Sequence, residues 1–282
     1  MSASLSGCKK FRFKNKQVSL DSSVIDLCVT LFDWAKFRRT KGAIKLHLIL
    51  DHDGYLPSFA VITEGKVSDV KVAHTLQFDP GTIVVYDRGY NDYALFGQWT
   101  RRGVYFVTRM KDNALYEVQE EKPIPQHGLI LKDQIIRLTG LKAEEKCPFP
   151  LRRIEVYIPE KNVTYAFLAN HLKLGSTTIA AVYKDRWQIE LFFKALKQNL
   201  RIKTFVGTSA NAVKIQIWTA LIAMLILRFL QLKSRYSWSL SNLIALLRFN
   251  LFTHRDLWSW LNNPFDTLPI PYEQKQFQLK WA

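Results

Sequence analysis

Thr82-Ile83-Val84-Val85-Tyr86 is an unbroken run of β-branched and apolar residues that stops at Asp87. A run of this kind is expected of a strand buried on both faces, and such strands belong to layered α/β cores. The flanking segments fit that frame. Residues 17–20 form a shorter β-prone run that stops at Asp21. Residues 43–50 alternate, with Ile44, Leu46, Leu48 and Leu50 on one side and Lys45, His47 and Ile49 on the other, which is strand periodicity. Asp51-His52-Asp53-Gly54 then supplies a hairpin turn, and 56–63 returns as a second strand. A helix over 91–101 and a strand over 104–108 follow the central run.

The pattern changes over 111–160. Short β-prone pieces at 114–118, 129–138 and 153–158 are separated by Pro, Gly and charged residues, as in a β-rich insertion. A strand is expected over 163–169. One helix, capped at Ser176 or Thr177, is expected to run to about residue 200. Thr208 or Ser209 would cap a further helix containing the most apolar stretch, 215–227. Gln216 and Thr219 interrupt that stretch, which is shorter than the ~18 residues a membrane span needs, so a buried helix is expected. Two more helices are expected near 239–250 and 255–261.

Charge narrows the partner. The formal net charge is +16 and the isoelectric point about 9.7, an excess that favours a polyanion. From Lys9 to Lys45 ten basic residues face three acidic ones, and from Lys184 to Lys203 six face two. Cys8, Cys28 and Cys147 are far apart and contain no Cys-x-x-Cys pair, which fits a reducing compartment and argues against a zinc site. There is no signal-type leader and no amphipathic basic helix at a terminus, so the expectation is a cytoplasmic, nucleoid-associated protein with no membrane partner. No Gly-rich phosphate loop occurs, so no nucleotide cofactor is expected.

The chemistry centres on Glu190. At 100° per residue Arg186, Glu190, Lys194 and Lys197 share one face with Tyr183, while Ile189, Phe192 and Leu196 lie opposite. A Glu190–Lys194 surface pair is the plain alternative. Asp21 and Asp87 each end an apolar strand run, where α/β proteins build sites. Two aspartates and a glutamate are hard oxygen ligands suited to Mg²⁺ or Mn²⁺, and two such ions serve phosphoryl transfer. Asp26 and Asp33 are alternatives for the first ligand. Lys36, Arg38, Arg39 and Lys41 form a basic loop placed to hold phosphates. His47 and His52 are read as a strand-face and a turn histidine.

Tyr183-x-x-Arg186-x-x-x-Glu190-x-x-x-x-x-x-Lys197 resembles the tyrosine–arginine–glutamate–lysine signature of bacterial insertion-sequence transposases of the DDE class. Leu20-Asp21-Ser22-Ser23, the segment from Trp34 to Lys45, Ile62-Thr63-Glu64-Gly65-Lys66 and Asp87-Arg88-Gly89-Tyr90 also look like that family, most of all its insertion sequence 4 branch. The resemblance covers about residues 18–219. It implies an RNase H-like mixed sheet with a β-rich insertion before the glutamate helix and a helical C-terminal part. The division expected is 1–110 and 163–205 for the catalytic core, 111–162 for the insertion and 206–282 for the helical region. The insertion is expected beside the site and outside the sheet. Asp21, Asp87 and Glu190 would bind the metal. Tyr183, Arg186 and Lys197 would contact the DNA backbone, with Lys194 adding charge. Trp187 would either stack on an unpaired base or pack in the core. Implied partners are double-stranded DNA, at element ends and target, and a second copy of the chain in the DNA complex.

Three rivals are weighed. An impaired, N-terminally shortened remnant that only binds DNA is suggested by the 17 residues ahead of the first strand. Another RNase H-like nuclease, such as a junction resolvase, is disfavoured by the insertion and the signature. A membrane-surface protein lacks the helix it needs.

Overall fold

The structure, a computed structural model, describes residues 11, 13–28, 30–38, 41–126, 128–199 and 205–266; the side chains of 36–38, 41 and 199 are outside that description. The chain divides into two compact units, 1–225 and 226–282.

The first unit is built on one ten-stranded mixed sheet. Its elements in chain order are β1 (Gln17–Leu27), β2 (Lys36–Arg38), β3 (Lys41–Asp51), β4 (Leu56–Glu64), α1 (Asp69–Thr75), β5 (Ile83–Tyr86), α2 (Tyr93–Arg101), β6 (Tyr105–Arg109), β7 (Tyr116–Glu121), β8 (Ile130–Leu138), α3 (Ala143–Lys146), β9 (Leu151–Ile158), β10 (Val163–Ala169), α4 (Ser176–Asp185) and α5 (Trp187–Asn199). α6 (Ala210–Lys233) runs through the division, and α7 (Leu240–Phe249) and α8 (Leu257–Asn262) belong to the second unit.

β1, β3 and β4 are antiparallel neighbours, and β5 and β6 continue from β1 in parallel. The order β4-β3-β1-β5-β6 is thus an antiparallel meander joined to two helix-connected parallel strands, the RNase H-like arrangement. All four residues of β5 are buried, as the apolar run requires. Period-two alternation then assigns the faces. Val18, Leu20, Ile49, Val84, Tyr86 and Phe106 pack with Ala73 of α1 and with Leu95, Phe96 and Trp99 of α2. Ile83, Val85, Val107 and Phe167 pack on the other face with Ile179 and Val182 of α4. By the same alternation Ser19, Asp21, Asp87 and Arg109 belong to the α4 face.

Four expectations need correction. β1 does not stop at Asp21; it continues to Leu27 because β3, its antiparallel partner, pairs with it from Val18↔Asp51 to Leu27↔Gly42. The strands of the 111–162 segment do not lie outside the sheet. β9 and β8 extend it from β10, and β7 forms its edge. The expected single helix to residue 200 is two, α4 and α5, separated at Arg186. The apolar helix α6 is buried on one side only, through Val213, Ile217, Leu221 and Met224. Ile215, Trp218, Ile222 and Ile226 are each about half exposed, and 28% of its most apolar window is buried. At 24 residues it is long and apolar enough to cross a membrane by length and composition alone.

The second unit has its own small core, in which Leu230, Trp238, Leu243, Trp260 and Leu261 come together. Ser239 and Asp256 cap α7 and α8 through their side chains.

Candidate active site

β1 and β5 pair in parallel from Gln17↔Ile83 to Leu20↔Tyr86. Asp21 and Asp87 each follow the last residue of that register, and Asp87 is near enough to act on the Asp21 carboxyl. Asp87 ends β5 and caps a short helical turn, accepting from the Gly89 N–H at 3.3 Å. Asp21 stays within β1, opposite Leu48, and one of its oxygens accepts from the Ser22 N–H at 2.8 Å.

α5 lies against β1 and brings the glutamate to this pair. Ile189, Phe192, Phe193 and Leu196 are its buried side, which leaves Glu190 free to face the strands. Arg186 sits between the acids. Its Nη2 donates to Glu190 Oε1 at 2.6 Å, its Nη1 is 3.8 Å from Asp21 Oδ2, and its Nε is buried without a partner. The partner of Glu190 is therefore Arg186 and not Lys194. Tyr183 has its ring 5.4 Å from the Arg186 guanidinium and against Phe167 at 4.5 Å. Burial pushes the Tyr183 hydroxyl pKa up; Arg186 and Arg109 oppose this while Asp87 adds to it.

The electrostatics mark the same place. Asp21 has its pKa raised to about 6, chiefly by burial, with Glu190 and Asp87 adding and the Ser22 N–H and Arg186 opposing. Its carboxyl thus feels both other acids. Asp26 and Asp33, the alternatives for the first ligand, are exposed.

Among the described residues no three His, Cys, Asp or Glu side chains form a ready metal cage. The donor set nevertheless fits a hard divalent ion. Glu190 and Asp87 both oppose ionisation of Asp21, a repulsion that a divalent ion relieves, and Arg186 is the cation that reaches Asp21 and Glu190. A groove of about 410 Å³ is lined by Asp21, Ser22, Ser23, Glu190, Lys194 and Lys197. Lys194 is exposed along this groove. Lys197 donates to the Val24 carbonyl at 2.9 Å, tying α5 to β1.

Trp187 is 53% exposed, so it is not the core residue that one sequence reading made it. Lys36, Arg38 and Lys41 are not in a loop: β2 pairs with the start of β3, Lys36↔Gly42 and Arg38↔Lys41. Arg39 lies outside the described residues. His47 is a core histidine. Its Nε2 is 3.0 Å from the Thr63 hydroxyl, and burial lowers its pKa to about 4.

Sequence reasoning missed Arg109. The register Tyr86↔Thr108 places it level with Asp87 on the next strand. Its guanidinium stacks on the Tyr165 ring at 3.9 Å and acts on the Tyr183 hydroxyl. The available signal was a cation directly after the strand expected over 104–108. Lys111 and Asn113 were also missed; with Asp87, Arg88 and Gly89 they line a second groove of about 510 Å³.

Residues 12–226 match the transposase DDE domain family. The chain is 33% identical over 242 residues to a transposase-class protein of Sinorhizobium fredii, y4zB, covering 84% of this chain and 67% of that one. It is 28% identical over 244 residues to a transposase assigned to insertion sequence element IS5377 of Geobacillus stearothermophilus, covering 86% and 64%. A transposase assigned to element IS4SA of Synechocystis sp. is 27% identical over 224 residues, covering 75% and 59%. The matched region thus spans about three fifths to two thirds of these relatives. Among solved structures, a piggyBac transposase synaptic complex with hairpin DNA overlaps 90% of this chain and 55% of that one, with TM-score 0.49 and 8% identity.

Proposed function

Because this chain belongs to the transposase DDE domain family, we propose that it performs cut-and-paste DNA transposition, with Asp21, Asp87 and Glu190 as its metal-binding acids. Its nearest branch in this reading is the insertion sequence 4 group. The observation that supports the assignment is that Glu190 and Asp87 both act on the Asp21 carboxyl, whose pKa is raised to about 6, with Arg186 bonded to Glu190 beside it. Divalent cations, Mg²⁺ or Mn²⁺, supply the charge that activates an attacking oxygen and stabilises the leaving one.

The chain's own residues divide the remaining work. Asp21 and Asp87 fix two ligands on adjacent strands, where the sheet leaves them little freedom. Glu190 enters from α5 and is held at the right height by the buried Ile189, Phe192 and Leu196. Arg186, Tyr183 and Arg109 present donors to phosphate oxygens on the same face, a task suited to a guanidinium fork. Lys194 and Lys197 extend positive charge along the groove, and the basic run of Lys36, Arg38, Arg39 and Lys41 is the further candidate for phosphate contacts. Trp187, exposed beside Arg186, is placed to stack on an unpaired base. Double-stranded DNA is the substrate, and the working form on it is a homodimer. Water cuts one strand, and the freed 3′ hydroxyl attacks a second phosphodiester. Each step exchanges or hydrolyses one such bond, so no nucleotide cofactor is consumed.

The test is strand cleavage of supercoiled plasmid and of labelled duplex in Mg²⁺ or Mn²⁺. Asp21→Asn, Asp87→Asn and Glu190→Gln should each abolish cleavage while duplex affinity stays within a few-fold. Full activity in Glu190→Gln would remove it from the site.

A further inference from the structure

Beneath the acids lies a buried polar chain that the proposed chemistry does not use. His52 Nε2 is 2.6 Å from the Ser19 hydroxyl, and His52 Nδ1 is 2.6 Å from Asp185 Oδ2. The Tyr55 hydroxyl donates to the same carboxylate at 3.2 and 3.3 Å. The side chains of His52 and Asp185 are 7% and 1% exposed. The order Ser, His, Asp is that of a nucleophile triad, but Ser19 has no exposure at all and no substrate can reach it.

What the chain does is connect. Ser19 lies two residues before Asp21, on the same face of β1. Asp185 is the last residue of α4, directly before Arg186. No Pro or Gly interrupts 176–199, and Arg186 keeps right-handed helical dihedrals, φ −52° and ψ −30°. The interruption between α4 and α5 therefore has no local cause in the sequence. Tyr55 holds a left-handed φ of 54°, a conformation rare for a bulky side chain, and from there its hydroxyl reaches Asp185. His52 Nδ1 also lies 2.9 Å from the side-chain amide of Gln17, a further β1 residue on the same face as Ser19 and Asp21. With Asp185 as acceptor, Nδ1 carries the ring proton, the Gln17 amide oxygen is the atom suited to face it, and Nε2 accepts from Ser19.

We propose that His52 is a positioning residue: bonded to Ser19 and Asp185, it clamps the helix interruption that carries Arg186 to the strand that carries Asp21. The clamp sets the spacing between Asp21 and the Arg186–Glu190 pair, whose arginine directly follows Asp185 and whose glutamate lies about one helical turn further on. A shift of about 1 Å in such a constellation costs up to a hundredfold in rate. The effect on rate rests on the transposase reading; the clamp itself does not.

The experiment compares His52→Phe, which keeps a ring without the bonds, the milder Ser19→Ala, and His52→Gln, which keeps a donor. Hydrogen exchange in the full chain should speed up at least about tenfold over 183–196 in His52→Phe, and less in Ser19→Ala. Exchange over 83–86 and 105–109 should not change. Plasmid cleavage per folded chain should fall roughly tenfold to a hundredfold at an unchanged duplex Kd, and His52→Gln should recover part of both losses. Three results would overturn the clamp: unchanged exchange over 183–196, acceleration spread evenly over the sheet, or rate and duplex affinity lost in equal proportion. Absence of metal-dependent cleavage in the wild-type chain would defeat the transposase reading, and the exchange measurement would then decide the clamp alone.

Discussion

Two arginines in the first unit, Arg152 buried and Arg186 partly so, are partnered in opposite ways. Arg152, on β9, makes a fork with Asp133 of β8 at 2.7 and 2.5 Å, and its remaining nitrogen donates to the Leu172 and Leu174 carbonyls. Both side chains are 5% exposed or less. Arg186 has one close bond, to Glu190, a looser approach to Asp21, and a buried Nε with no partner. The first pair is satisfied and has no reason to move. The second is unbalanced, with Glu190 bonded, Asp21 at 3.8 Å and one nitrogen without a partner, and its groups gain by exchanging partners when phosphates or metal ions arrive. Arg186 thus differs from Arg152 in keeping a buried nitrogen without a partner, as Arg137, Arg153 and Arg228 also do, and in lying beside acids that are themselves incompletely paired.

The largest expected effect breaks the satisfied pair. Asp133→Ala leaves the Arg152 guanidinium buried and uncompensated, which should cost about 3–5 kcal/mol of stability. Glu190→Gln, in the half-open site, should cost far less. Denaturant titration of the full chain measures both, and equal losses would erase the distinction.

A second effect, of opposite sign, concerns Asp21. Its pKa is about 6 in the folded chain against 3.8 for the ordinary group. Between these values the native state keeps a proton that the unfolded chain has lost, so this group favours folding below pH 4. That contribution disappears as pH rises through 6. At pH 7 the ionised carboxylate costs about 3 kcal/mol in metal-free protein. Asp21→Asn should therefore raise the Tm at pH 7 in chelator, with the gain fading by pH 4. A lower Tm at pH 7 would show that Arg186 already compensates the charge.

The same contrast separates what was legible in the sequence from what was not. The strand at 43–50, the run at 82–86 and β10 could be read directly, because period-two alternation and β-branched runs are local signals. The α5 face was also legible, since Ile189, Phe192 and Leu196 are buried as the 100° spacing predicts. The continuation of β1 through Ser22, Ser23 and Asp26 was not, because pairing with β3 and not propensity holds those residues extended. The interruption at Arg186 coincides with bonds from Asp185 to His52 and Tyr55, 133 and 130 residues away in sequence. Arg109 joins the acids only through strand register, which composition does not encode. Insertion strands β9 and β8 join the sheet through β10, again by non-local pairing. In each case the missed feature depends on a partner distant in sequence.

The smallest expected effect sharpens the comparison at Arg186 itself. Without DNA or metal, this guanidinium is the cation nearest Glu190, 2.6 Å away. A divalent ion entering the pocket competes with it for that carboxylate and for Asp21. Arg186→Ala should therefore raise Mn²⁺ affinity in the absence of DNA by about tenfold, equivalent to one pKa unit of lost charge coupling. Cleavage should fall in the same variant, because a phosphate contact goes with the side chain. Adding duplex should narrow the difference in metal affinity, since phosphates draw the wild-type guanidinium from the carboxylates. Calorimetry or Mn²⁺ paramagnetic resonance, with Asp21→Asn as the control lacking a ligand, reads the affinity directly. Unchanged affinity in Arg186→Ala would reduce the Arg186–Glu190 bond to an ordinary pair one helical turn apart, and the contrast with Arg152 would rest on burial alone.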